Sequence, residues 1–312
     1  MIDKYNVGMY TSDGGDDLLK ATSLALSELV ELETIKQMEF VNAVNQRTAQ
    51  TLDLHLTFNK NDTMIPFEIN EAAHAAYQKM EFFGKNLSLQ KWRVGIEMTD
   101  ETRIRLDQAN QLINSIQNAA ESFADARDND ILRTFLKSAG IKIDASNKWN
   151  TGNADISGDF GKLVSEVFKK ADTNIKESEI SNITIYYPLM LLPYLKDYST
   201  MTDGTGKLQI NMSDYDYTGK TYGINWVGSR KLNFIGKALA VIKTPRTADH
   251  YTYTGGQIPE VETDRDKKLG VDLWMMTKYF GTFVYPQNYE QQETNDRIMI
   301  IDKVCDPVVV NR

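Results

Sequence analysis

The chain has 312 residues, of which 41% are hydrophobic, so it is long enough to bury a core in one large or two ordinary domains. Its 35 basic and 43 acidic residues give a net charge of −8. This balance argues against a dedicated nucleic-acid binder, because neutralising phosphates needs clustered Lys and Arg. The N-terminus lacks a signal-peptide pattern, and no apolar stretch reaches the length of a membrane span. With one cysteine, the fold must hold by packing without an internal disulfide.

Residues 1–50 predict an irregular arm followed by a helix. The turn-rich segment Ser12–Gly15 precedes two aspartates, which are side chains that can cap a helix. We expect the helix to end between Phe40 and Gln50. The residues predicted to form its apolar face are Leu18, Ala21, Ala25, Leu29, Leu32, Ile35 and Met38.

From Thr51 the apolar residues recur with a period of two, which predicts a half-buried strand. A turn follows at Asn59–Asp62, and then a return segment that Pro66 keeps at a sheet edge. A short helix is expected over Ala72–Phe83, after which the strand pattern resumes from Asn86 to Met98. The large apolar side chains of this excursion are Leu52, Leu54, Leu56, Phe58, Ile65 and Phe67.

This apolar face needs a cover, because an isolated two-stranded hairpin is marginally stable in water. Burying its first four side chains contributes about 1.5–3 kcal/mol each, or roughly 6–12 kcal/mol together. Either the excursion folds back on its own domain or a neighbouring subunit covers it. The residue pattern by itself slightly favours the first alternative.

A strand that leads into one long helix is the most informative feature of the chain. Trp92, Val94 and Ile96 alternate with polar residues, and Thr99 then offers a helix cap. An apolar stripe follows, and Gly140 predicts the stop, since glycine readily adopts the left-handed conformation that ends helices. A helix from Asp100 to Ala139 would span roughly 60 Å and would need packing partners along its whole length. The stripe comprises Leu106, Ala109, Ile113, Ile116, Ala120, Phe123, Ile131 and Phe135.

The second half of the chain predicts a mixture of helices and strands without regular alternation. Residues Ile141–Gly158 are loop-like, Phe160–Phe168 has the pattern of a short helix, Asn182–Tyr187 that of a strand, and Leu189–Lys196 that of another helix. The absence of βαβ alternation and of a fixed repeat predicts an α+β fold. Later strands are expected at Gly223–Val227, Ala238–Lys243, Val271–Tyr285 and Ile298–Val304.

The sequence predicts no catalytic, cofactor-binding or metal-binding residues. Gly219–Thr221 echoes the end of a phosphate-binding loop, but Asp214 stands where the earlier glycine is required, so we expect a turn. The three histidines are far apart and match no metal or triad spacing. His55 is expected at the surface and Cys305 as a small buried side chain. The charged run Asp264–Lys268 is expected to be a solvated loop, and the dispersed aromatic residues are expected to pack in sheets.

Three segments and the order of the elements resemble the major capsid proteins of tailed phages and related archaeal viruses. Trp92–Glu101 resembles the strand and capped start of the family's spine helix, and Phe123–Leu132 resembles the alanine- and acid-rich end of that helix. Tyr187–Met190 resembles a strand–proline–helix step. The resemblance implies the α+β fold of the Hong Kong ninety-seven phage capsid, which encapsulin shells share, with an N-terminal arm, an extended loop, a peripheral domain and an axial domain.

The same resemblance implies a division of the chain and a set of partners. It implies hexamers and pentamers in an icosahedral shell around double-stranded DNA, no cofactor, no membrane, and portal, scaffolding and decoration proteins as further partners. Because the chain starts close to the arm, we expect a scaffold to be a separate protein. The implied division is an arm and helix at 1–50, an extended loop at 51–98, a peripheral domain at 99–154 completed by 286–312, and an axial domain at 155–285.

Two other interpretations remain beside a non-enzymatic viral capsid protein that is assembled in host cytoplasm and resides in the virion. The first keeps the fold but makes the chain the shell of an encapsulin-like compartment. The second is a monomeric hydrolase that uses clustered carboxylates such as Asp214 and Asp216, although any acidic protein offers such pairs. Under the capsid interpretation, we expect the six apolar side chains of the excursion to lie in contacts between subunits.

Overall fold

The computed structural model describes residues 27–59, 81–99, 108–169, 175, 179, 182–195, 211–212, 218–221, 224–255, 261–266 and 271–309. Its longer helices are α1 over 27–37, α2 over Gln108–Ser138 and α3 over Ile156–Lys169, and one further helical turn covers 192–195. Short 3-10 turns occur at Val41–Ala43, Leu189–Leu191 and Lys231–Phe234. Among the described helices, none combines the length and the apolar character needed to cross a membrane.

Fourteen strands are present in the described part of the chain. The first seven are β1 Asn45–Ala49, β2 Asp53–Asn59, β3 Phe82–Ser88, β4 Gln90–Thr99, β5 Ala139–Asp144, β6 Ile183–Pro188 and β7 Asn211–Met212. The remaining seven are β8 Thr218–Thr221, β9 Ile224–Ser229, β10 Ala238–Ile242, β11 Ala248–Tyr253, β12 Val261–Asp266, β13 Val271–Val284 and β14 Asn295–Asp302.

The seven-stranded sheet, in the order β5-β14-β10-β6-β9-β8-β7, is covered on both faces. Every residue of β6 and β10 is buried, which explains why these strands read as continuous apolar runs. Ile185 and Ala240 belong to the core cluster that includes α3. Tyr186 and Leu239 point the other way, into the core cluster that includes the C-terminal half of α2. The sheet is therefore the middle layer of three.

The five-stranded sheet is built around the 14-residue strand β13. β4 pairs antiparallel with Val271–Phe280 of β13, and β12 pairs with Val271–Met276 on the opposite edge of the same strand. β11 pairs with Phe280–Val284, and β1 extends the sheet beyond β11. Phe123 on α2 packs against Phe280 and Trp274 of this sheet. Because Phe135, further along α2, packs on the seven-stranded sheet, α2 joins the two sheets as a spine. The predicted long helix with partners along its length is confirmed for its described part.

Gly140 does not end the spine helix in the predicted way. The helix ends at Ser138, and Gly140 already lies in strand β5, which pairs parallel with β14. The φ angle of Gly140 is not positive; among the described glycines, Gly236 is the one with a positive φ. Glycine is needed here for close approach, because a Cβ would meet the Asp296 side chain and would lie 2.8 Å from the backbone N of Asp296.

The face predicted for the N-terminal helix is wrong in part, and so is its end. In α1, Val30 and Thr34 are buried, whereas Leu32 is 62% and Ile35 is 37% exposed. Helix α1 ends at residue 37 because the carboxylate of Asp128 accepts the backbone N–H groups of Glu39 and Phe40. In a longer helix these groups would bond to carbonyl oxygens of the helix itself. Tertiary contacts thus override the apolar spacing.

Several local predictions are corrected by strand pairing. Ala72–Phe83 was expected to be a helix; residues 72–80 lie outside the described residues, but Phe82 and Phe83 belong to β3. The expected loop after Gly140 begins with β5, and the expected turn at Gly219–Thr221 lies in β8. Asp264 lies in β12 rather than in a loop, because β12 pairs with β13. Phe168, the last residue of the predicted short helix Phe160–Phe168, is 56% exposed.

The strands predicted in the second half are confirmed with small changes of bounds. They correspond to β6, β9, β10, β13 and β14, and the helical turn after Pro188 starts where proline is expected to allow it. Strands β1 and β11, which the period-two analysis did not find, pair parallel with each other over Asn45–Ala49 and Asp249–Tyr253.

Candidate interaction surfaces

Strands β2 and β3 form a two-stranded ribbon whose faces differ in polarity. The antiparallel register aligns Leu54 with Leu87 and Phe58 with Phe83. Along β2, the apolar side chains are half-buried and the polar ones between them are exposed, as the period of two predicted.

The apolar face of the ribbon lies against the chain's own body. At its base, Leu54 packs against a small core cluster that includes Leu89 and Tyr253. Further along, the Phe58 ring stacks on Phe283, with centroids 5.6 Å apart, and contacts the edge of Tyr285 at 5.7 Å. Within the single chain, these contacts leave the apolar residues partly accessible rather than fully covered.

The structure groups four of the six predicted contact residues on this face, which comprises Leu52, Leu54, Leu56 and Phe58. Ile65 and Phe67 lie outside the described residues. The assignment of all six to contacts between subunits stays a prediction.

The opposite face of the ribbon is hydrophilic and hydrogen-bonded across the strands. His55 Nδ1 lies 2.6 Å from Asn86 Oδ1, so this nitrogen carries the proton and donates. Ser88 Oγ donates to Asp53 Oδ1 at 2.5 Å. A Cβ on Gly84 would clash with the imidazole of His55, so the glycine provides the space in which the ring lies. The predicted exposure of His55 is confirmed.

A buried ionic cluster lies where α1, α2 and β13 meet. Arg127 is fully buried, and its two terminal nitrogens donate to the two carboxylate oxygens of Glu31 at 2.7 and 2.8 Å. The Phe280 ring lies 5.3 Å from the guanidinium carbon. Burial by itself would raise the pKa of Glu31, but Arg127 and Lys278 offset this effect, and the net pKa lies below its ordinary value. Sequence spacing carried no signal for this pair, because the partners are 96 residues apart.

His250 belongs to the same region and is fully buried. Thr282 Oγ1 donates its single proton to Asp130 Oδ2 at 2.7 Å, so His250 Nδ1, 3.0 Å from that hydroxyl, must be the donor. Burial, together with the charge of Arg127, lowers the pKa of His250 to about 3. The imidazole is therefore neutral at physiological pH and acts as a structural hydrogen-bond donor.

Other chemistry-bearing residues have structural surroundings. Asp159 is buried and accepts hydrogen bonds from Ser146 and from Trp149 Nε1. Cys305 is buried as predicted, and burial raises the pKa of its thiol. Trp226 and Trp274 are buried in the two sheets, as predicted for packing residues. In the ranges that the structure describes, no group of three or more His, Cys, Asp or Glu side chains is arranged to hold a metal ion.

The chain is similar in structure to proteins of a virus-like particle, an encapsulin complex and a phage capsid. The virus-like particle of Pyrococcus furiosus has a TM-score of 0.55 and 9% identity, over 89% of this chain and 98% of that chain. The encapsulin of Synechococcus elongatus has a TM-score of 0.57 and 9% identity, over 88% and 90%. The capsid of cyanophage P-SCSP1u has a TM-score of 0.56 and 11% identity, over 84% and 87%. At such identities the likeness establishes the Hong Kong ninety-seven capsid-like α+β fold alone.

The match of the sequence to a family model is more specific than the similarity in fold. A family model described as "Phage capsid protein" matches residues 84–290, a range that runs from β3 through the spine helix to the end of β13 and beyond. The chain belongs to the phage capsid protein family. It is a major capsid protein, with the structural role and the place in the virion shell that this family implies. No curated protein sequence is significantly similar to this chain.

Proposed function

We propose that the chain self-assembles through hexamers and pentamers into an icosahedral shell around double-stranded DNA. The observation that carries this proposal is the family match over residues 84–290, which includes parts of the ribbon and both sheets. Assembly takes place in the host cytoplasm, with portal, scaffolding and decoration proteins as further partners. The net charge of −8 supports a wall that confines DNA without binding its phosphates tightly.

We also propose a division of the subunit in which each sheet is the core of one domain. The axial domain consists of the seven-stranded sheet and α3, and the peripheral domain consists of the five-stranded sheet and the spine helix. This assignment changes the expected division, because β5 and β14 pair in the seven-stranded sheet while β11 to β13 pair in the other. The ribbon is the proposed extended loop.

Expression of the chain alone, followed by electron microscopy, tests the assembly proposal. We expect hexamers, pentamers and shell-like assemblies of them, because the contacts between copies belong to the chain itself. A separate scaffold would act on the size and closure of the shell. A compact 35.5 kDa monomer at high protein concentration would contradict the proposal. Particles purified from infected cells separate the two kinds of shell: packaged DNA supports the capsid, and a protein cargo without DNA supports an encapsulin-like compartment.

A second experiment tests the inter-subunit role of the ribbon. We expect the double substitution Leu54→Asp and Leu56→Asp to abolish shells and to lower the free energy of unfolding by about 2–4 kcal/mol, because half-buried leucines are replaced by charges. The matched control is His55→Asp with Thr57→Asp, on the exposed face of the same strand. Particle yield and urea denaturation are measured for both. Normal shells from the leucine double variant would exclude these residues from the interface.

A further inference from the structure

The buried carboxylate of Asp249 connects strand β1 to the aromatic surface on which the ribbon lies. Asp249 is 1% exposed and lies in β11, where it pairs with Asn45 of β1. Tyr285 Oη donates to Asp249 Oδ2 at 2.6 Å, and the ring of the same tyrosine contacts Phe58 of the ribbon. We propose that Asp249 is a positioning residue, which sets through Tyr285 the direction in which the ribbon leaves the five-stranded sheet.

Side chains of β1 fix the orientation of this carboxylate. Asn45 Nδ2 donates to Asp249 Oδ1 at 3.0 Å, and Arg47 Nε donates to Asp249 Oδ2 at 3.3 Å. The Asn45 amide is itself held in place, because Nδ2 also lies 3.1 and 3.2 Å from the carbonyl oxygens of Thr244 and Ala248. Each oxygen of Asp249 thus has a donor from β1, and hydrogen bonds to a charged acceptor are strong. The carboxylate therefore presents a fixed acceptor to Tyr285.

Tyr285 is held at its backbone as well as at its hydroxyl. Its N–H donates to the carbonyl oxygen of Thr247 at 3.1 Å, and its carbonyl oxygen accepts from Asn295 Nδ2 at 2.8 Å. Burial, together with the nearby Asp249 carboxylate, raises the pKa of the Tyr285 phenol, which therefore stays protonated and donates at physiological pH. Removal of the hydroxyl would free the ring while the backbone keeps both of its hydrogen bonds.

The ribbon is supported by the chain's own body at two separate places. At its base, Leu54 packs against the small cluster that includes Tyr253. Further along β2, by about 13 Å at the rise of a strand, the Phe58 ring contacts Phe283 and Tyr285, with centroids 5.6 and 5.7 Å away. Two supports determine the direction of a strand. The position of the Tyr285 ring therefore affects the tilt of the ribbon on the sheet.

Strand β3 is supported by the same part of the chain. The Phe83 ring contacts the ring of Tyr289, with centroids 5.5 Å apart. Lys85 Nζ donates to the carbonyl oxygen of Gln292. Both partners belong to the segment that follows Tyr285, so the outer support of both strands continues from the residue that Asp249 holds.

The hydrogen-bond lengths distinguish positioning of the ribbon from simple pairing of two strands. A carboxylate that only joined β11 to β1 would need no donor beyond those of β1. The bond from Tyr285, at 2.6 Å, is the shortest of the four that the Asp249 side chain accepts from side chains in the described part of the chain. Segment 45–58 is closed into a loop, since its start contacts Asp249 and its end contacts Tyr285. These two contacts fix the angle between β1 and β2.

Amide hydrogen exchange of the full chain, below the concentration at which it assembles, measures how firmly the ribbon is held. Because a two-stranded ribbon alone is marginally stable, protection of β2 depends on its contact with the body. Tyr285→Phe keeps the ring and removes the donor, so protection of β2 should fall about fivefold. The matched control is Tyr251→Phe, which removes a donor 3.3 Å from the same oxygen of Asp249. The control should leave the protection of β2 unchanged.

The distance between two spin labels measures the direction of the ribbon itself. The labels are placed at Thr57→Cys on the ribbon and Glu121→Cys on the spine helix, both of which are exposed positions. The buried Cys305 is replaced by alanine, so that only the introduced cysteines react. We expect Tyr285→Phe to shift and broaden the distribution of distances, and the control variant to keep the original distribution.

These measurements separate positioning from a role in stability alone. If Tyr285→Phe lowers the midpoint of urea denaturation but leaves the label distance and β2 protection unchanged, Asp249 only stabilises the fold and the proposal is overturned. Equal displacement of the ribbon in Tyr251→Phe would overturn the assignment to Tyr285.

The consequence for assembly rests on the proposed function. If the ribbon lies between subunits, electron microscopy should show misshapen or open particles for Tyr285→Phe and unaltered particles for Tyr251→Phe. A displaced ribbon with unaltered particles would support the positioning role of Asp249 and contradict only the inter-subunit role of the ribbon.

Discussion

Replacing Gly140 by alanine is expected to lower the free energy of unfolding by about 3 kcal/mol, since an inserted methyl group in a tight backbone contact forces the chains apart. The new Cβ would meet the Asp296 carboxylate and lie 2.8 Å from both the Asn295 carbonyl carbon and the Asp296 nitrogen. Two of these three atoms belong to backbone, which cannot move aside as a flexible side chain does. The contact joins the end of the spine helix to β14, so its loss weakens the connection between helix and sheet.

Gly152→Ala is the matched control, because a Cβ at Gly152 would have no atom within 4 Å. Urea denaturation of the two variants measures the difference. We expect Gly152→Ala to be neutral or slightly stabilising, through reduced entropy of the unfolded chain. Equal midpoints for the two variants would show that the β5–β14 approach tolerates a side chain and that the geometric argument fails.

Trp226→Ala is expected to cost about 3–5 kcal/mol, the range for removing a large aromatic side chain from a core. Trp226 is fully buried in β9, with the rings of Trp149 and Tyr187 at 6.2 and 6.3 Å. These three aromatic residues fill the space between the seven-stranded sheet and the loop before α3. The alanine variant should therefore form few or no shells at 37 °C, because its subunit is only marginally folded.

Trp226→Phe separates packing from hydrogen bonding. The indole Nε1 is buried and has no hydrogen-bond partner among the residues that the structure describes, an arrangement that costs about 1–3 kcal/mol. Phenylalanine removes this donor while keeping one ring, so its loss of stability should be less than half that of alanine. The exposed Tyr194→Ala serves as control and should change little. Thermal unfolding of the three variants gives the order of their stabilities. A phenylalanine variant as unstable as the alanine variant would contradict the predicted order.

Elements with a strong period were predictable from the chain alone. The alternation along β2 and the apolar stripe of the spine helix arise because apolar side chains are buried away from water. Their spacing within a short stretch of sequence is enough to indicate a strand or a helix. The α+β class followed from the same patterns, since β6, β10 and β13 read as strands without regular helical alternation. The capsid resemblance rested on the order of these elements.

The buried ion pair of α1 with the spine helix and the Gly140 contact were not predictable in this way. The Glu31–Arg127 pair joins residues 96 positions apart, and β1 pairs with a strand about 200 residues later. Glu31 faces inward in α1 because the cation that satisfies it, Arg127, comes from the distant spine helix. Thr34 is buried beside it and donates to the carbonyl oxygen of Val30, one turn earlier in its own helix. Their inward position leaves Leu32 exposed, against the expectation from spacing.

The amino-acid order by itself thus determined where strands and helices occur and which family the subunit resembles, because local periodicity records which side chains are buried. The tertiary structure decided which elements meet: the grouping of strands into two sheets, the direction in which α1 faces and the need for glycine at position 140. These features depend on partners brought together by long-range pairing. Their energies arise only when backbone and charges approach within hydrogen-bond distance in three dimensions.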